Sequence, residues 1–253
     1  MSAKGWAIAM NIKRLFRWNW QNSYISLVVL YSIMIFILCF FSVVNALVPS
    51  EGSVSGLTMA SSTMLFVLGI VLFSQSLRFG VANGASRRSV FVGFAAFIVS
   101  MTLAVTVIDL LLHHLFLLFG MSSVDIVDTL YTEFGTLKEG PAAEVAVIIC
   151  RIVVTLAFSA FGFFIGGAYY RMNKPMKIIV SVGTPLLVVF GLPLTIGLLP
   201  APMLNVLSRA VVAFLEFLMK SPYNMALVSF GFLVLFVIFS WLLMRRAPIK
   251  AAN

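Results

Sequence analysis

Acidic residues are scarce in this chain: eight Asp and Glu stand against 17 Lys and Arg in 253 residues, with two histidines. Charged residues of both signs make up 10% of the sequence and apolar residues 62%, against about 25% and roughly 45–50% in ordinary soluble domains. So small a polar stock cannot cover a water-soluble surface, and the bilayer is the expected solvent. Cysteine is nearly absent too. Cys39 and Cys150 each lie in an apolar stretch, lack CxxC or metal spacing, and read as small buried hydrophobes without a disulfide. Also missing are a Gly-x-x-x-x-Gly-Lys-Ser/Thr phosphate loop, a His-Glu-x-x-His zinc pattern, a Gly-x-Ser-x-Gly elbow and a paired acidic motif within a span. Nothing in these residues therefore supports an enzyme.

What is present is a repeated alternation. Charge-free runs occupy 18–50, 52–77, 89–108, 152–170, 178–208 and 221–244. Each can hold the ~20 residues that cross a hydrocarbon core as a helix. Thirteen of the 17 basic residues cluster in four segments: Lys4, Lys13, Arg14 and Arg17; Arg78, Arg87 and Arg88; Arg171, Lys174 and Lys177; Arg245, Arg246 and Lys250. The positive-inside rule then predicts a polytopic cell-membrane protein with both termini cytoplasmic. Anionic lipid headgroups are the expected counterions. Nucleic acid is not an expected partner, because phosphate tracking needs one continuous accessible patch.

The expected fold is all-α, a single transmembrane domain over 1–253 with spans at about 24–48, 57–77, 90–119, 142–170, 178–199 and 224–244. Val44, Asn45 and Ala46 resemble a signal-cleavage site, yet the preceding apolar run exceeds a signal core of about 7–15 residues, so 24–48 reads as a retained span. Residues 5–22 mix basic residues with Trp6, Phe16, Trp18 and Trp20, which predicts an amphipathic surface helix, or more simply a basic flank to the first span. An acidic connection, 120–141, carries Asp125, Asp128, Glu133 and Glu139 against Lys138. The fifth span contains Gly183, Pro185, Gly191, Pro193 and Gly197, so kinks are expected. Pro200 and Pro202 precede an amphipathic stretch to Lys220, read as a short broken, outer-surface or re-entrant helix. No internal repeat is evident.

Between the second and third spans the sequence Gln75 to Phe91 combines two glycines, an aromatic and three arginines, a loop suited to docking. Its Arg78, Phe79-Gly80, Asn83-Gly84, Ser86-Arg87 and Phe91 resemble the loop after the second span in six-span permease subunits of bacterial ABC exporters of the type-2 class. The layout of nearly the whole chain resembles theirs as well. The resemblance implies a permease that does no chemistry, pairs with a second copy or a similar permease, and borrows ATP and Mg from a separate cytoplasmic ATPase docked on 78–89, through Arg78, Phe79, Gly80, Asn83, Gly84, Ser86, Arg87 and Arg88. No cofactor is expected in this chain itself. Peptides, lipids and drugs all pass through such permeases.

Charge inside the spans is the second signal. Asp109 and Arg151 each lie about 14 Å inside an apolar span at 1.5 Å per residue, and pairing resolves their cost. Asp109 with His113, and Glu144 with Arg151, share helix faces. Asp109, His113, Glu144 and Arg151 are therefore the predicted polar cluster, either on a substrate or proton path or a bundle-locking ion pair. His114 faces elsewhere. Gly162, Gly166 and Gly167 suit close helix contact, within the bundle or between protomers. Two other functions fit the same residues: a proton- or ion-coupled secondary carrier using the polar cluster, and a non-transporting scaffold or immunity protein.

Overall fold

A computed structural model describes residues 3–47, 53–118, 122–124, 141–198 and 200–247. Asp125, Asp128, Glu133, Lys138 and Glu139 of the predicted acidic connection lie outside the described residues, as do Glu51 and Lys250. The helices are α1 (Ala3–Leu47), α2 (Leu57–Ala82), α3 (Arg87–Leu118), α4 (Pro141–Arg171), α5 (Lys174–Leu186), α6 (Leu192–Gly197), α7 (Ala201–Met219) and α8 (Pro222–Arg245). Seven helical stretches are long and apolar enough to cross a membrane, one more than the sequence predicts. The chain is a helical multi-pass membrane protein by these lengths and hydropathies. A three-residue parallel backbone ladder, Ser53–Ser55 with Ser122–Val124, ties the α1–α2 connection to the segment after α3.

Three sequence expectations are corrected. The surface helix and first span are one continuous 45-residue helix, α1. No proline or glycine falls between Gly5 and Pro49, so nothing breaks the hydrogen-bond ladder. The loop 78–89 shrinks to Asn83–Ser86, because α2 runs on to Ala82 and α3 starts at Arg87. The segment before the last span is a continuous 19-residue helix, α7, since Pro200 and Pro202 stand at its first turn, where proline is tolerated. In the fifth span the expected irregularity takes the form of a π-helical turn, Leu187–Gly191, two residues after Pro185.

Contacts fix the relative directions of the helices. Asn19 pairs with Ser76 at 2.7 Å, Asn22 with Gln75 at 2.7 Å and Tyr31 with Ser61 at 3.5 Å, so α1 and α2 are antiparallel. Ser62 meets Thr155, and the backbones at Phe66 and Ile70 meet Gly162 and Gly166, so α2 and α4 run parallel. In this α2–α4 seam a Cβ on Gly162 or Gly166 would run into the carbonyl oxygens of Phe66 and Ile70. The glycine spacing therefore serves contact inside the bundle. Phe161 and Phe164 lie on Phe236 and Phe239, and Cys150 packs with Met225, so α4 and α8 are parallel as well.

The same contacts gather the described members of the four basic clusters at one end. Trp18 stacks on Phe79 with ring centroids 4.5 Å apart, and Leu15 packs into the core beside Val90. Arg87 donates to the carbonyl oxygen of Arg245, joining the start of α3 to the end of α8. Arg171 closes α4 at this level, where Gly167 meets Leu243. A core of Leu72, Phe73, Val90, Phe94, Phe97, Phe163 and Met244 fills this end. By contrast, no described residue of α5, the π turn, α6 or α7 is buried. Tyr169 and Ser181, 2.9 Å apart, connect α4 to α5. Cys150 is buried, but Cys39 is exposed on α1, a correction that follows from the helix face it occupies; both are free thiols.

Candidate functional site

In the half of the bundle away from the basic end, four helices turn hydroxyl and charged side chains inward. On α3, Thr102, Thr106 and Asp109 recur at helical spacing and are buried, Asp109 with 1% of its surface exposed. On α4, Arg151, Thr155 and Ser159 do the same at intervals of four. Thr58, Ser61 and Ser62 supply the facing stripe of α2, and Tyr31 that of α1.

Asp109 is the centre of the group. Its Oδ1 accepts from Tyr31 Oη at 2.6 Å and from Ser61 Oγ at 2.9 Å. The Tyr31 bond falls in the range of about 2.5–2.7 Å of charge-assisted hydroxyl–carboxylate bonds, and the Ser61 bond in the ordinary hydroxyl range. Adjacent Ser62 lies 3.1 Å from Thr155 Oγ1, so successive residues of α2 reach α3 and α4. The parallel α2–α4 register then sets Arg151, one turn before Thr155, at the level of Thr58. Thr106 Oγ1 donates to the carbonyl oxygen of Thr102 at 2.9 Å. The Thr102 hydroxyl itself is buried with no hydrogen-bond partner.

Of the four predicted cluster residues, Asp109 and Arg151 are both buried, the latter 4% exposed. His113 is half-buried one turn beyond Asp109; its Nδ1 has no hydrogen-bond partner and its ring meets that of His114 edge-on. His114 Nδ1 lies 2.9 Å from the carbonyl oxygen of Leu110. Glu144 is exposed in the first turn of α4 and does not join the buried group. Sequence reasoning missed Tyr31, Ser61, Ser62 and Thr155. The periodic hydroxyls of α2 and α4 were a readable signal, whereas nothing local marks Tyr31 as facing inward.

At the basic end, the predicted docking residues divide into two groups. Arg78, Asn83, Gly84, Ser86 and Arg88 are exposed around the four-residue turn. Asn83 Nδ2 donates to the carbonyl oxygen of Phe79 at 2.7 Å, closing α2, and Gly84 takes φ +69°, where a side chain would be strained. Ser86 Oγ accepts from the backbone N–H of Ser89 at 3.1 Å, the N-cap of α3. Phe79, Gly80 and Arg87 are spent on intramolecular contacts with Trp18, Val90 and Arg245. Among the described residues no three His, Cys, Asp or Glu side chains come together as a metal site. No family model, curated protein or solved structure matches the chain.

Proposed function

We propose that the chain is the membrane-spanning subunit of an ATP-driven exporter, with six spans, both termini cytoplasmic, and nucleotide hydrolysed by a separate ATPase subunit. The observation that carries this reading is the basic end, where four arginine- and lysine-rich segments surround an exposed turn closed by Asn83 and Gly84. The positive-inside rule makes that end cytosolic. An ATPase surface then has a firm grip in Arg78, Asn83, Gly84, Ser86 and Arg88. Its nucleotide-driven closure moves the helix ends and switches the bundle between inward- and outward-facing states. A second copy, or a similar permease, completes the half-unit. The apolar, π-kinked segment Lys174–Gly197 favours an amphipathic or hydrophobic cargo.

Helix direction supports six spans. Helices α4 and α8 are parallel, so the chain between them must cross the membrane an odd number of times. Only one of the two long candidates, Lys174–Thr195 and Pro202–Met219, can therefore cross. Arg209 and Glu216, two turns apart on α7, mark that helix as the one lying along the outer surface.

Co-expression with candidate ATPases tests the proposal. The wild-type chain retains a stoichiometric ATPase through purification, and Arg78→Glu with Arg88→Glu releases it. Retention by the variant would move the docking surface away from Arg78 and Arg88, whereas a wild-type chain that holds no ATPase, or transport by the lone chain, sinks the exporter reading. One observation favours a second function, a proton- or ion-coupled carrier: the buried Asp109, held by Tyr31 and Ser61, resembles a relay site. Uptake into liposomes containing only this chain, driven by a pH gradient, is its signature.

A further inference from the structure

Two cavities lie end to end in the groove between α3 and α8. One, of about 340 Å³, is a cleft lined by Phe94, Ile98, Phe163, Val234, Val237 and Ser240 among others, with exposed Ala95 and Val99 on its open side. The other, of about 350 Å³, is formed by Ser86, Arg87, Arg88, Trp241 and Arg245 at the basic end. Phe91, in the wall of the first, touches Trp241, in the wall of the second, with ring centroids 5.3 Å apart. Neither cavity has an acidic residue in its lining.

We propose that this groove is a binding site for one anionic glycerophospholipid, its phosphate held by Arg88 and Arg245 and one acyl chain laid along the cleft between α3 and α8. Charge and polarity change along the groove in the order that the lipid's own parts do. The guanidinium groups of Arg88 and Arg245 meet the phosphate, Trp241 stands at headgroup level, and carbon-lined walls follow. Ser240 marks the junction. It is 1% exposed, its Oγ has no hydrogen-bond partner among the described residues, and it lies one residue before Trp241 in the cleft wall. Turned from the packed wall into the cleft, that hydroxyl would meet an ester carbonyl of the glycerol backbone at that depth.

Length agrees as well. From Leu233 to Arg245 the groove follows about 18 Å of helix, against the ~15 Å that one leaflet contributes to a ~30 Å hydrocarbon core. The bond from Arg87 to the carbonyl oxygen of Arg245 holds the two helix ends together, so the charged pocket is set before any lipid enters. A free anion would use the arginines alone and leave the cleft and Ser240 unused. The inference needs only this chain and does not rest on the exporter reading.

Native mass spectrometry of the delipidated full chain, titrated with phosphatidylglycerol and with phosphatidylcholine of the same acyl chains, tests it. The wild-type chain is expected to retain one phosphatidylglycerol at least about fivefold more tightly than phosphatidylcholine, near the contribution of one basic residue at a membrane surface. Arg88→Gln with Arg245→Gln lowers that affinity roughly thirty-fold and removes the preference. Ala95→Trp, at an exposed position on the cleft wall, weakens both lipids with the arginines intact. Equal binding of the two lipids by the wild-type chain, a comparison that needs no variant, overturns the proposal. So does unchanged binding by Ala95→Trp. Displacement of phosphatidylglycerol by inorganic phosphate or an acidic peptide as readily as by the lipid itself would make the pocket a simple anion or protein contact, and also overturns it.

Discussion

A carboxyl group near mid-membrane costs about 2.5–3.5 kcal/mol on insertion scales. At Asp109 two hydroxyl donors from different helices offset part of that cost, and without the acceptor they are left with only each other and, for Tyr31, the longer bond to the Val105 carbonyl oxygen. Asp109→Leu is therefore expected to destabilise the detergent-solubilised protein by about 1–3 kcal/mol more than Asp109→Asn, whose amide oxygen still accepts. Tyr31→Phe should cost less, about 0.6 kcal/mol and at most ~1.7, the range of interhelical bonds in membranes. Thermal melts of the three variants give the order directly; equal melting points for Leu and Asn would show that the hydroxyls contribute nothing. Asp109 and Arg151 were legible in the sequence because charge in an apolar run stands out. Tyr31 was not, since a tyrosine in a lipid-facing helix is indistinguishable from one facing inward until the neighbouring helices are in place.

Helix against helix, the α2–α4 seam depends on the absence of side chains. A methyl at Gly162 meets the backbone of Phe66, which cannot move aside as a flexible side chain can. Gly162→Ala should cost about 1–3 kcal/mol of stability, while Gly183→Ala, with nothing within 4 Å of the added carbon, should be neutral or gain less than about 1 kcal/mol. Chemical or thermal denaturation of the two variants separates these outcomes, and equal losses would refute the close seam. The glycine spacing on α4 was readable; its partner was not, because α2 offers only Gly69 and bare backbone in return. The sequence also overestimated the α2–α3 loop. Gly80 reads as a loop residue, yet here it is a helical position kept small for Val90. Composition alone does not tell a turn glycine from a packing glycine.

For the molecule as a whole, hydropathy predicted a helical membrane protein, and the structure has one. It could not settle how many helices cross, because α7 is both apolar enough to span and charged enough to lie flat. Under the six-span reading, a cysteine introduced at Asn83 is labelled by a membrane-impermeant thiol reagent only from the cytosolic side, and one at Ser208 only from outside. Labelling of both from the same side would refute that topology. Residues 174–197, 24 in number, would then make the remaining crossing, although no described residue among them is buried.

The brevity of the Asn83–Ser86 turn has a mechanical corollary. Intrahelical bonding continues through α2 and α3 to either side of it, so there is no slack to absorb a push delivered there. From Ala82 to Ser61 is about 32 Å of unbroken helix at 1.5 Å per residue. A tilt imposed at the arginines is thus levered, undamped, to the far hydroxyls, where the distances around Asp109 leave little tolerance before those bonds are exchanged.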